Sequence, residues 1–169
     1  ADDVGFLSSL IDEISSNYNI NPDRVYSTGM SNGGYMSFLL ACQISEKIAA
    51  IASVTGSMTP STFAQCNPQH STPVLQLHGT ADAVVNYDGV AGWSVSIPDV
   101  LDYWYTYNNC NPIASVTQIE HIDPSDGSTV EHLVWDSGDN GVTTEHFLIN
   151  GGDHDWPGAF GNMDINASI

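Results

Sequence analysis

Apolar residues recur at helical spacing at the start of the chain, where Val4, Leu7, Ile11, Ile14 and Tyr18 share one stripe. Asp2 and Asp3 lie near the positive end of the dipole, and the pattern predicts an amphipathic helix. Asn21-Pro22-Asp23 breaks it, and residues 24–28 read as a short buried strand running into Gly29. Beyond the glycines, Tyr35, Met36, Leu39, Leu40 and Ile44 return to helical spacing. The segment therefore predicts a strand, a sharp turn and a helix.

Residues 48–54 and 73–78 read as two more buried strands, separated by a polar surface excursion over residues 59–72. Ser96-Ile97-Pro98-Asp99 has the form of a capped helix start, with Val100, Leu101, Tyr103, Trp104 and Tyr107 behind it and residues 108–112 stopping it. Residues 115–122 and 129–135 predict a hairpin about Asp123-Pro124-Ser125-Asp126-Gly127, and residues 145–149 a final strand. Strands that are apolar on both faces and alternate with helices argue for an α/β class, with a mostly parallel sheet covered by helices.

The chain has 169 residues, 41% of them hydrophobic, which suits residues 1–169 as a single domain with one core. No apolar run approaches the roughly 20 residues needed to span a bilayer, and no basic-then-apolar leader opens the sequence. Twenty acidic side chains against two basic ones give a formal net charge of -18. That charge excludes a nucleic-acid surface and disfavours anionic membranes, so the expected partners are neutral. The three cysteines, Cys42, Cys66 and Cys110, allow at most one internal disulfide. The count does not choose the pair; Cys42 with Cys66 is preferred because the two bracket one short segment. No cysteines or histidines sit at a zinc spacing, so no metal is expected.

The chemistry concentrates at Gly29-Met30-Ser31-Asn32-Gly33, a G-x-S-x-G sequence lying between a predicted strand and a predicted helix. In a nucleophile elbow the serine occupies a strained turn, and small neighbours let strand and helix approach; Gly29, Gly33 and Gly34 meet that need. The backbone N–H of Asn32 would then face the developing oxyanion. A serine nucleophile needs a base, and the base needs an acid to fix its tautomer. His154 follows the last predicted strand within Gly151-Gly152-Asp153-His154-Asp155-Trp156-Pro157-Gly158, and Asp82 follows the third strand within His78-Gly79-Thr80-Ala81-Asp82. Both stand in the chain order that such folds require.

The other candidates are weaker. His121, His132 and His146 fall inside predicted strands, where a hydrogen-bonded structural role is the commoner one, and His70 sits in the polar excursion. His78 is expected to hydrogen-bond the acid loop. Asp153 and Asp155 are expected to cap turns or stay solvated, and Asp88 is the substitute for Asp82.

On these segments, with Asn21-Pro22-Asp23-Arg24-Val25-Tyr26 and Leu40-Ala41-Cys42 added, the sequence resembles the secreted α/β-hydrolases that include polyhydroxybutyrate depolymerases and feruloyl and acetylxylan esterases. The likeness spans residues 21–158 in family order. It implies the triad Ser31, Asp82 and His154, substrate contacts from Trp156 and Met30, no cofactor, and a secreted ester hydrolase acting through an acyl-enzyme. The implied substrates are hydroxyalkanoate oligomers or acyl esters of plant polysaccharide. A serine peptidase of the same fold, or a binding module with a relic triad, are the rival readings.

Family members carry further strands before this point, with a loop that supplies a second oxyanion donor, and a helix after it. Both ends therefore look truncated. Residues 25–28 should pair on one side with the strand around Ile51 and be open on the other, where missing strands or another chain would cover them.

Overall fold

The computed structural model describes residues 2–168. Helix α1 (Asp3–Asn17) starts where the Asp2 carboxylate accepts a hydrogen bond from the Gly5 N–H at 2.9 Å, the expected cap for an exposed helix start. Strand β1 (Tyr26–Met30) leads through Ser31 into helix α2 (Asn32–Gln43), followed by strand β2 (Ala50–Val54). The 59–72 segment is not wholly irregular, since Thr59 and Pro60 nucleate a short helix α3 (Pro60–Gln65). Strand β3 (Val74–Gly79) precedes helix α4 (Ile97–Tyr107), in which Ser96 Oγ accepts from Asp99 N–H at 3.2 Å and donates to Asp99 Oδ2 at 2.6 Å. Strands β4 (Ser115–Gln118), β5 (Thr129–Trp135) and β6 (Thr144–Asn150) complete the order.

The six strands form one sheet in the order β1-β2-β3-β6-β5-β4. The first four are mutually parallel, while β5 runs antiparallel to both β6 and β4. Parallel neighbours require crossovers, which carry α2, α3 and α4 in turn; the hairpin needs only its 119–128 turn. Phe38 of α2, Ile51 of β2, Val74 of β3, and Val100 and Trp104 of α4 form one buried cluster against which Val4, Leu7 and Ile11 of α1 pack. The apolar stripes of the three helices thus meet over one face of the sheet. Cys42 and Cys66 are joined by a disulfide that ties α2 to the segment after α3, and Cys110 is free and buried.

Several boundaries differ from the sequence reading, with β1 running on to Met30 and β2 beginning only at Ala50. Strand β1 begins at Tyr26 because Asn21 caps a single turn at Pro22–Arg24, its Oδ1 accepting from Asp23 N–H at 3.0 Å. His121, expected inside a strand, lies beyond the end of β4. There the Asp164 carboxylate takes the Ile122 N–H at 2.8 Å and holds the His121 ring at 2.9 Å, so side-chain bonds replace the ladder. His132 and His146 do lie in strands, β5 and β6. Among the described residues, no helix is long and apolar enough to cross a membrane.

Among the described residues, strand β1 ends the sheet with β2 as its one strand neighbour. Ser31 N–H donates to Val54 O at 2.8 Å, so by the alternation of a ladder the N–H groups of Tyr26, Thr28 and Met30 point away from β2. Beside this edge, Leu7, Ile11, Ile14, Tyr26, Thr28 and Met36 line an open cavity of about 310 Å³.

The buried His146 generates a pH prediction. Its Nδ1–H donates to Gln76 O at 3.0 Å, and burial lowers its pKa from 6.5 to about 4. The folded state therefore holds a neutral ring where the unfolded chain would bind a proton, and stability is lost as pH falls from about 6.5 towards about 4. Denaturant titration at pH 7 and pH 5 should show lower stability at pH 5, with His146 contributing about 2 kcal/mol of the loss, since each pH unit in this window is worth about 1.4 kcal/mol. The His146→Gln variant should show a smaller difference, and an equal one would refute this assignment.

Candidate active site

Ser31 sits between β1 and α2 with φ 55° and ψ -115°, a conformation that a residue with a Cβ rarely adopts. The strain is imposed by its surroundings. A Cβ on Gly29 would come within 2.7 Å of the Gly33 Cα, and one on Gly34 within 2.5 Å of Ser53 Oγ and 2.9 Å of the Gly56 Cα. Glycine at these places lets helix and strands approach closely enough to hold the serine in the turn. Ser31 Oγ makes no capping bond to its own helix. Asn32 is the first residue of α2, so its N–H is one of the four that lack an intrahelical acceptor. The helix dipole adds to the positive potential there.

Parallel β1, β3 and β6 present their carboxyl ends on one edge of the sheet, so the loops after β3 and β6 lie beside each other. Thr80 N–H donates to Ile149 O at 3.0 Å, Ala81 N–H to Gly152 O at 2.9 Å, and Gly151 N–H to Thr80 Oγ1 at 2.9 Å. A Cβ on Gly79 would lie 2.1 Å from Gly152 O, so only glycine permits this contact. Across it, His154 Nδ1 lies 2.8 Å from Asp82 Oδ2. The Asp82 side chain is wholly buried, while His154 keeps 17% of its side chain exposed. Oδ1 of Asp82 accepts the N–H groups of Val84 and Val85, each at 2.8 Å, so three bonds compensate the removal of this carboxylate from water. A carboxylate on Nδ1 fixes that nitrogen as the protonated one and leaves the Nε2 lone pair free.

Asp82 and His154 are therefore brought into contact, whereas Asp88 is exposed and turned into its own loop, its N–H bonded to Asn86 Oδ1 at 2.9 Å. Ser31 stands on the same sheet edge; among the described residues no hydrogen bond joins its hydroxyl to the His154 ring. Trp156 is half-buried two residues beyond His154, its Nε1–H donating to Ser168 Oγ at 2.9 Å. Met30, half-buried, ends β1 beside the serine.

Asp153 has a role that the sequence reading missed. Its Oδ1 accepts the His154 N–H at 2.8 Å and faces the Ala83 N–H at 3.4 Å, linking the histidine loop to the acid loop. Its capping character was legible from a carboxylate among glycines; its reach to a loop 70 residues away was not. Among the described residues no group of three or more histidine, cysteine or acidic side chains is placed to hold a metal ion.

Comparison with known proteins finds esterases among those that this chain resembles. A bifunctional acetylxylan esterase/xylanase from Neocallimastix patriciarum is 30% identical over 152 residues, covering 90% of this chain and 21% of that protein. Feruloyl esterase B from Piromyces equi is 38% identical over 91 residues, covering 53% of this chain and 17% of the relative. The chain thus spans about a fifth of the length of these two relatives. An acetyl xylan esterase from Aspergillus awamori superposes with a TM-score of 0.64 at 14% identity, over 89% of this chain and 61% of that one. At that identity the likeness speaks for the fold alone, which is the α/β-hydrolase fold. The phospholipase/carboxylesterase family profile matches residues 2–92, from α1 through the elbow and β3 to the acid loop, and the chain belongs to that family.

Proposed function

We propose that this chain is the catalytic part of a serine carboxylic ester hydrolase in which Ser31 is the nucleophile, His154 the general base and Asp82 the acid that orients it. The observation that carries the reading is the 2.8 Å bond from His154 Nδ1 to the buried Asp82, on the sheet edge where Ser31 is held in its strained turn. In the proposed course Ser31 Oγ attacks the ester carbonyl carbon while His154 Nε2 takes its proton. The oxyanion is stabilised by the Asn32 N–H. Collapse breaks the bond to the alcohol, which leaves with the proton from His154, and water then attacks the acyl-enzyme by the same route. Charge that appears on the imidazole is matched by Asp82 close by.

The substrate is proposed to be a neutral ester, either a hydroxyalkanoate oligomer or an acyl group on plant polysaccharide, with Trp156 and Met30 at the acyl side. A net charge of -18 repels anionic substrates, and the names of the relatives, acetylxylan and feruloyl esterases, support esters of this kind. The Cys42–Cys66 disulfide suits an oxidising compartment, which supports secretion. The open edge of β1 is proposed to be covered by a strand from outside residues 1–169, in a longer chain or a partner, bringing a second oxyanion donor with it.

Ser31→Ala and His154→Ala should each lower kcat for a p-nitrophenyl ester by about 10⁴–10⁶ and leave the circular dichroism spectrum unchanged. Asp82→Asn should cost about 10⁴ through the wrong imidazole tautomer, and Asp88→Asn less than about twofold. Turnover above a few per cent in Ser31→Ala, or a larger loss in Asp88→Asn than in Asp82→Asn, would refute the assignment.

The edge proposal is tested by amide exchange. In the 169-residue chain the Tyr26, Thr28 and Met30 amides should exchange much faster than those of Ser27 and Gly29, and a protein containing the covering strand should protect all five. Equal protection of the five in the 169-residue chain would overturn the edge proposal.

A further inference from the structure

His78 is fully buried at the end of β3, takes no part in the proposed proton transfers, and touches the acid loop from behind. Its tautomer follows from its neighbours. Gln76 Nε2 donates to Gly56 O at 2.9 Å and lies 2.9 Å from His78 Nδ1. A carbonyl can only accept, so the amide nitrogen faces it and donates to Nδ1 as well, which makes Nδ1 an acceptor. The proton is then on Nε2, which donates to Val85 O at 2.8 Å. Oδ2 of Asp82 lies 3.4 Å from the same nitrogen.

Loop 82–85 is thus gripped at both ends. Asp82 Oδ1 gathers the N–H groups of Val84 and Val85 from one side, and His78 holds the Val85 carbonyl from the other. A carboxylate can turn about its terminal bond; closing the loop around Oδ1 leaves Oδ2 aimed at His154. We propose that His78 is a positioning residue, a neutral Nε2–H donor whose bond to Val85 O fixes the loop that orients Asp82 towards His154.

The surroundings keep the ring neutral. Burial depresses its pKa and outweighs the opposing influence of the Val85 and Gly56 carbonyls and the attraction of Asp82, while His154 adds repulsion. The remaining titratable neighbours are the Tyr87 ring, edge-on at 5.9 Å, and His146, which stacks on Tyr87 at 6.0 Å. The Tyr87 hydroxyl is 3.2 Å from His146 Nε2, and since His146 Nδ1 donates to Gln76 O, that hydroxyl donates and is satisfied. Gln76 therefore sets both histidines, one through its side chain and the other through its carbonyl.

The role as positioner of a catalytic acid rests on the ester-hydrolase reading; the tautomer and the loop grip do not. The test compares the native protein with His78→Gln, whose amide can still donate to Val85 O, and with His78→Leu, which cannot. Imidazole ¹⁵N shifts of the native protein should show Nδ1 bare and Nε2 protonated from pH 5.5 to 8. In His78→Leu the Val84 and Val85 amides should exchange at least about tenfold faster, and kcat should fall about 10- to 100-fold at constant KM, as for a misplaced catalytic group. His78→Gln should restore most of both. A protonated or Nδ1–H ring, or unchanged Val84 and Val85 exchange in His78→Leu, would overturn the proposal. Should His78→Leu not fold, the native tautomer and His78→Gln still decide it: loss of loop protection in His78→Gln would count against it. If Ser31→Ala retains turnover while the exchange results hold, the ester-hydrolase reading fails and the loop grip stands.

Discussion

Removing the Asp82 carboxylate from water is the constraint around which the site is arranged. An ionised carboxylate buried without partners would cost several kcal/mol, and here each of its oxygens is satisfied by N–H groups of its own loop or by His154. Those partners can converge only if the β3 and β6 loops touch. The contact of Gly79 with Gly152 permits this, and the bonds of Thr80 and Ala81 to the β6 loop hold it in place. The same burial that makes the carboxylate costly makes it effective, because low local polarity strengthens its field on the imidazole.

The elbow shows a second balance of the same kind. The backbone at Ser31 costs of order 1–3 kcal/mol relative to an ordinary turn, and the fold offsets it by packing α2 closely on β1 and β2 through Gly29, Gly33 and Gly34. What the strain achieves is placement. The hydroxyl projects clear of its own helix at the positive end of the α2 dipole, where a developing oxyanion is favoured.

Around this centre the charge and the sheet have separate consequences. Most of the twenty acidic side chains lie at the surface and keep it strongly negative, Asp82 being buried at the site, and the buried polar groups also include His78, His146, Asn108 and Gln76. Asn108 joins the end of α4 to Thr72 and Thr144 and so fixes the crossover between β3 and the hairpin. At the other end of the sheet β1 leads into Ser31 along an edge, an arrangement that leaves backbone donors without a strand neighbour among the described residues. Strand edges of this sort invite pairing.

Periodicity alone determined most of the secondary structure. The stripes of α1, α2 and α4, the apolar runs of β1, β2 and β3, and the hairpin all repeat local patterns that burial rewards wherever the chain folds. The candidates Ser31, Asp82 and His154 were equally legible, because the elbow depends on glycines adjacent in sequence and because chain order restricts the partners. Local patterns could not decide distances between loops. That Asp82 rather than Asp88 meets His154, that Asp153 links two loops, and that His121 leaves its strand for Asp164 all depend on groups 43 to 72 residues away. The side-chain tautomer of His78 is of the same kind, since it is dictated by the Gly56 carbonyl through Gln76. Hydrophobic spacing encodes which face of an element is buried; only the packed sheet decides which polar groups then find each other.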